Sequence, residues 1–151
     1  MTIRINRLLL AAALFGAAGC AEPPYDGPLR GTWDLSMTLE APLPDHAARP
    51  GAVVSGSVVI PAPAPALPHA FPSATPADVH VDLRPFGVWV RAASQPVVRN
   101  VGRDTVRLDL GSPPQELVLT GRAGRDSVTG YWIHEIRSAT VRGRFVMRRK
   151  R

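Results

Sequence analysis

Apolar and polar side chains alternate along most of residues 31–148. In 31–40, Trp33, Leu35, Met37 and Leu39 are separated by polar side chains, which is typical of a strand that buries one face. The same alternation recurs between clusters of glycine and proline. It predicts strands at 31–40, 51–60, 104–110, 115–121, 126–134 and 139–148.

Two further strands are predicted as a hairpin within 78–92. Its arms, VHVDL and VWVRA, flank Arg84-Pro85-Phe86-Gly87, where proline second and glycine fourth favour a type I turn. Six prolines within 61–77 predict an extended loop that cannot join a sheet ladder, because proline lacks the backbone N–H. The pattern assigns no strand to residues 93–102.

Eight strands with short turns, and no segment of helical period, predict an all-β protein. We expect a single antiparallel eight-stranded up-and-down barrel, which leaves no exposed strand edge. A seven-stranded β-sandwich is the alternative, since 78–92 also fits one long bent strand. The inner face of such a barrel either fills its interior or lines a site for one small ligand. The residues expected there are Trp33, Leu35, Met37, Val54, Phe145 and Met147.

The first twenty residues have the pattern of an export signal. Arg4 and Arg7 precede an unbroken apolar run at 8–18, which is too short to span a bilayer. The run leads to Ala17-Ala18-Gly19-Cys20, which resembles the lipobox of bacterial lipoproteins. That resemblance implies cleavage between Gly19 and Cys20, a diacylglycerol on the Cys20 sulfur and an acylated Cys20 amine. Because Ala21 rather than aspartate follows, it also implies the outer membrane, facing the periplasm, in a diderm cell.

These segments predict a signal peptide at 1–19, a lipidated tether at 20–30, a barrel domain at 31–148 and a basic tail at 149–151. The 151 residues carry 18 basic and 12 acidic side chains, a formal net charge of +6. Six of the basic residues, and no acidic one, fall within 142–151. The positive charge is therefore local, and the tail either attracts anionic head groups or stays solvated.

Gly31-Thr32-Trp33 opens the first strand, and Arg142, Arg144 and Arg148 lie on the last. This arrangement resembles the lipocalin and calycin superfamily, in which a Gly-x-Trp motif meets a basic residue near the end of the barrel. The resemblance implies that Trp33 closes the barrel base and that the guanidinium of Arg144 or Arg148 packs over its ring.

Residues with catalytic or metal-binding chemistry are sparse. His46 and His69 lie in predicted loops, His80 is expected to face outward, and His134 and Glu135 point to opposite faces of a strand. The single cysteine excludes a disulfide framework, and no nucleophile elbow or phosphate-binding loop is present. We therefore expect no enzyme, no catalytic residue, no metal or other cofactor and no nucleic-acid partner.

Two functions fit these features. In the first, a membrane-anchored envelope lipoprotein binds or carries a small apolar ligand inside its lipocalin-like barrel. In the alternative, a filled barrel serves as a protein interaction or inhibitor module, with an exposed apolar patch around Trp89 or Tyr131. The strand at 126–134 is apolar on both faces, so it is covered either by the loop carrying Leu67 and Phe71 or by a partner.

Overall fold

The computed structural model of the chain describes residues 29–43, 47–61, 75–88, 95–101, 104–111, 116–136 and 139–151. These residues form one antiparallel sheet. Its strands are β1 (Gly31–Ala41), β2 (Val53–Ile60), β3 (Thr75–Pro76), β4 (Asp78–Val81), β5 (Val97–Asn100), β6 (Thr105–Asp109), β7 (Leu117–Ala123), β8 (Ser127–Ile136) and β9 (Ala139–Arg149). The predicted all-β class and antiparallel pairing are confirmed.

The sheet curls into a nearly closed barrel because its two edge strands are consecutive in the chain. The strand order is β3-β5-β6-β7-β8-β9-β1-β2-β4. Only Ala77 separates β3, which pairs with β5, from β4, which pairs with β2. Counted as one interrupted strand, 75–81 completes eight strands in up-and-down order. The expected barrel is thus confirmed, and the alternative sandwich is not formed.

The structure corrects two details of the predicted strand pattern. Thr75–Pro76 lies in the proline-rich loop that was expected to stay out of the sheet, yet it pairs with Val97 and Val98. Proline lacks the donor but keeps its carbonyl acceptor, and the neighbouring Ala77 N–H donates to Pro96 O at 2.7 Å. The second correction is β5, which lies in the stretch 93–102 to which no strand was assigned.

The predicted hairpin at 78–92 is present in part. Its first arm contains β4, and Arg84–Phe86 forms a 3-10 turn in which Gly87 N–H donates to Arg84 O at 2.9 Å, as in the expected turn. Beyond the turn, Val88 is not in a strand. Residues 89–92, including Trp89, lie outside the described residues, as do 62–74 and 1–28 with Gly19 and Cys20.

Strand direction defines two ends of the barrel. At the tether end β1 begins at Gly31 and β9 finishes at Arg149, and at the far end β1 finishes at Ala41 and β9 begins at Ala139. All six residues predicted for the interior are buried between these ends. They expose between 0 and 8% of their surface: Trp33, Leu35, Met37, Val54, Phe145 and Met147.

Candidate functional site

Trp33 closes the tether end of the barrel. Its side chain is fully buried, and its indole Nε1–H donates to Leu29 O at 2.9 Å, which satisfies the polar atom of the ring. The guanidinium carbon of Arg149 lies 4.4 Å from the ring centroid, a cation–π distance. Arg149 also donates to Arg30 O at 2.7 Å, so the cation is held both over the ring and against the chain that leads into β1.

The cation over Trp33 is Arg149, and the expectation of Arg144 or Arg148 is wrong. Neighbouring residues of a strand face opposite sides, and Arg149 shares the inner face with Phe145 and Met147. In the register Arg149 lies directly opposite Trp33. Arg144 faces outward instead and forms an ion pair with Glu40 at 2.7 Å.

Arg148 is likewise exposed on the outer face of the barrel. Because β9 extends to Arg149, the basic tail predicted at 149–151 begins one residue later, at Lys150. The sequence contained the signal for this correction. Phe145, Met147 and Arg149 follow the same two-residue period that identified the inner face.

A turn closes the far end of the barrel. Phe86, in the 3-10 turn after β4, is fully buried, and its ring stacks on Trp132 with the centroids 5.4 Å apart. Leu83 and Val88 on either side of the turn are also buried. Gly87 has a φ of 71°, in the left-handed region that favours glycine. Sequence reasoning predicted the turn but not the insertion of its phenylalanine.

Asp82 holds this turn in place. Its carboxylate accepts the backbone N–H of Arg84 at 3.0 Å and two guanidinium hydrogen bonds from the same residue, at 2.9 and 2.7 Å. These side-chain and backbone hydrogen bonds lower the pKa of Asp82 from its ordinary 3.8 to about 2. The carboxylate therefore stays charged over the whole physiological pH range.

Between its two closures the barrel interior is filled by side chains. Trp33, Met37 and Leu117 expose none of their surface, and Leu35 exposes 1%. The other large inner side chains that the structure describes are also fully or almost fully buried: Trp132, Phe86, Leu39, Leu119, His134, Val58, Val88 and Val128. A chamber large enough for a ligand would leave the side chains that line it accessible to water, and these side chains are not accessible.

Gly143 allows the largest of these side chains to fit. It lies opposite Trp132 in the register, and a Cβ atom there would collide with the backbone carbonyl oxygen of Thr38 and come 2.8 Å from Trp132 Nε1. Without that Cβ, the indole crosses β9 and Nε1–H donates to Thr38 O on β1 at 3.2 Å. The glycine thus allows close packing of β1, β9 and the indole.

His134 is the one buried side chain with titratable chemistry among the described residues. It faces inward from β8 between Leu117 and Val141, and Nδ1 lies 3.0 Å from Glu116 O. A carbonyl only accepts, so Nδ1 carries the hydrogen and Nε2 is left as a buried acceptor with no partner in the described chain. Burial lowers the pKa of His134 below its ordinary 6.5, against the opposing effect of the Glu116 carbonyl. The imidazole is therefore neutral at neutral pH.

The outer face of β7, β8 and β9 carries an apolar patch, which we call the outer patch: Val118, Tyr131, Ile133 and Val146. Val118 lies opposite Ile133, and Tyr131 lies opposite Arg144. Tyr131 exposes 55% of its surface, and the other three are half-buried. Arg142 and Arg144 border the patch along β9. This is the place where the filled-barrel hypothesis expected an apolar surface.

Metal ligands do not converge in the described residues. No group of three or more histidine, cysteine, aspartate or glutamate side chains there is placed to hold a metal ion. His80 is exposed on β4, as expected, while His46 and His69 lie outside the described residues. Within the described ranges no helix is long and apolar enough to cross a membrane.

Fold and side-chain packing together define a nearly closed eight-strand antiparallel barrel with a filled interior and an apolar patch outside. Comparison of the chain with protein-family models, with curated proteins and with solved structures finds no significant match.

Proposed function

We propose that this chain is a lipid-anchored protein of the bacterial cell envelope, and that its filled barrel acts through its outer surface as a protein interaction module. The lipobox-like Ala17-Ala18-Gly19-Cys20 supports the anchor at Cys20. Ala21 after that cysteine favours the outer membrane, facing the periplasm, where the cell has one. The proposal includes no catalytic activity, no cofactor and no nucleic-acid partner.

The burial of the inner side chains is the observation by which we choose between a ligand carrier and a protein interaction module. A barrel that holds a small apolar ligand needs an internal cavity of about 300 Å³ or more. The residues expected to line it are packed together, with Trp33 and Met37 fully enclosed and Phe145 and Met147 exposing 3% each. We therefore favour the interaction module over the ligand carrier.

The outer patch supplies the contact surface. An exposed tyrosine among half-buried aliphatic side chains, bordered by arginines, has the composition that protein interfaces favour. Arg144 is already paired with Glu40, whereas Arg142 has no ion pair within the described chain. The partner surface is accordingly apolar at its centre, with carboxylates at the edge that faces β9.

Photocrosslinking in the organism's own cells tests the proposal. The full-length lipoprotein carries p-benzoylphenylalanine at Tyr131 or, as a control, at Ser55, an exposed residue on the outer face of β2. We expect Tyr131 to give one crosslinked species that Ile133→Asp abolishes, and Ser55 to give none. Equal crosslinking from both positions would contradict a defined interface. A small-molecule adduct that organic extraction removes from the native protein would restore the ligand carrier.

A further inference from the structure

Positive charge collects at the tether end of the barrel. Arg30, Arg125, Arg148, Lys150 and Arg151 are all exposed there. Within the described residues none of these five side chains forms an ion pair. We call these five residues the basic rim.

The acidic side chains near the basic rim do not cancel it. Asp104 is paired with Arg122 at 2.5 Å, and Asp126 lies 3.8 Å from the guanidinium of Arg149. Asp34 lies opposite Arg148 in the register but forms no ion pair with it among the described residues. Asp34 is thus left without an arginine partner in the described chain, and the five cations of the basic rim outnumber it. The tether end therefore keeps a net positive charge.

Hydrogen bonds join the basic rim into one surface. Lys150 N–H donates to Thr32 O at 2.8 Å, which holds the end of β9 against the start of β1. Arg149 N–H donates to Asp126 O at 2.9 Å, which ties the same strand end to the turn that carries Arg125. The guanidinium of Arg149 donates to Arg30 O at 2.7 Å. Three separate stretches of chain thus present their cations on the same side.

The proposed lipid anchor is attached at this same end. Ten residues lie between Cys20 and β1, which span at most about 35 Å when fully extended and about 18 Å as a flexible coil. As a flexible coil, the tether holds the end of the barrel to which it is attached nearer the bilayer than the far end, because β1 alone extends over eleven residues, about 36 Å. Electrostatic attraction at physiological salt acts over about 8 Å. A flexible coil also takes up end-to-end distances below its average, which bring the basic rim within that range of the head groups.

We infer that the basic rim binds the phosphate groups of anionic lipids in the membrane that holds the anchor. The inference rests on the proposed lipid anchor at Cys20. Together the acyl chains and the basic rim fix the tether end against the bilayer, with the far end pointing away and the outer patch facing sideways. Each cation near an anionic surface contributes about fivefold to the affinity.

Lys150 reports on this contact because it is the only lysine in the chain. The lipidated full-length protein is reconstituted in vesicles of phosphatidylcholine alone or mixed with phosphatidylglycerol. Reductive methylation with formaldehyde and dimethylamine–borane, both uncharged, then measures access to the Lys150 amine by peptide mass spectrometry. We expect methylation about fivefold slower on the anionic vesicles. The difference disappears at about 1 M salt, where the screening length falls to about 3 Å.

Two variants of equal charge change separate the basic rim from general attraction. Arg125→Gln with Arg148→Gln removes two cations of the basic rim, whereas Arg49→Gln with Arg142→Gln removes two exposed cations near the far end. We expect only the first pair to restore fast methylation on anionic vesicles. Inorganic phosphate added to neutral vesicles is expected to give no protection.

Different results would exclude the membrane contact of the basic rim and the lipid anchor at Cys20. Equal methylation rates on both vesicles, with the lipid on Cys20 confirmed by mass, overturn the basic rim and leave the anchor standing. Equal effects of the two variant pairs overturn it as well. A chain that carries no lipid at Cys20 overturns the proposed function, and the membrane contact of the basic rim falls with it.

Discussion

Phe86 and Trp132 stack with their ring planes 2° from parallel. One ring comes from a turn between strands and the other from the inner face of β8, so their contact joins the far-end closure to the barrel wall. Both rings are fully enclosed. The turn is therefore part of the core, to which it contributes this aromatic contact and the buried side chains of Leu83 and Val88.

Phe86→Ala is expected to destabilise the protein by about 3–5 kcal/mol, because it removes a buried ring and leaves a cavity beside Trp132. The free energy of unfolding in urea measures the effect. Val53→Ala, at a side chain that is 57% exposed, is the control and is expected to change stability by less than about 0.5 kcal/mol. A loss below about 1 kcal/mol for Phe86→Ala would mean that the turn does not close the barrel.

Arg149→Gln is expected to cost about 1–2 kcal/mol, because it removes the cation over Trp33 and the hydrogen bond to Arg30 O. The neighbouring Arg148→Gln removes the same charge from the outer face and is expected to be neutral within about 0.5 kcal/mol. Thermal denaturation of the two variants in parallel measures this difference in stability, and the melting temperature of Arg149→Gln is expected to be the lower one. If they melt together, the cation–π contact at the tether end contributes nothing to stability.

Stability is expected to fall with acidification because of His134. Above its ordinary pKa of 6.5 the imidazole is neutral in both states, and the full stability is present. As the pH drops below 6.5, the unfolded chain takes up a proton that the buried imidazole resists, so the free energy of unfolding declines. The decline is at most about 1.4 kcal/mol per pH unit and ends below the lowered folded pKa.

Comparison of unfolding free energies at about pH 7.5 and about pH 5 checks this dependence. His134→Leu is expected to flatten the profile, whereas His80→Gln, at an exposed histidine, is expected to leave it unchanged. A wild-type profile that stays flat while carboxylates remain ionised would show that His134 is not shielded from protons.

Gly143→Ala is expected to destabilise the barrel by about 1–3 kcal/mol, since the added methyl group collides first with the backbone carbonyl oxygen of Thr38 on β1 and then with the Trp132 indole. Loss of the near-ultraviolet circular dichroism of tryptophan should accompany the change. Thr140→Ala, at an exposed position on the same strand, is the matched control. A tolerated Gly143→Ala with unchanged tryptophan signal would mean that the packing of Trp132 does not depend on the missing Cβ at Gly143.

Most of the barrel wall is predictable because the two-residue period is a local property of the sequence. The alternation around Trp33 and around Phe145 identified both strands and their inner faces. The sequence predicted that the sheet closes into a barrel, but it did not predict which residues close it. Closure depends on the pairing of 75–81 with two strands that are distant from each other in the chain, β2 and β5. Local rules that keep proline out of a ladder gave the wrong result for Pro76, where the chain changes from one partner strand to the other.

Less of the candidate site than of the barrel wall could be predicted from the sequence. Arg149 was missed because the choice of cation followed the resemblance to a family, although the inner-face period pointed to it. His134 shares the parity of Val128 and Trp132, so its inward direction was visible in the sequence, but its complete burial depends on packing. The insertion of Phe86 has no local signal, since a turn with this composition also occurs on protein surfaces.

The backbone bond from Lys150 to Thr32 places the last strand of the barrel beside the first. With 75–81 counted as one strand, neighbouring strands of the barrel wall are also neighbours in the chain, except where β9 meets β1. The pairing of the strands would be the same if the chain began at a different strand. A circular permutant that links residue 151 to residue 29, and opens the chain at the turn carrying Arg125, would retain every strand pair of the sheet. Such a permutant would begin at β8 and end at β7, instead of beginning at β1 and ending at β9, while the barrel itself stays the same.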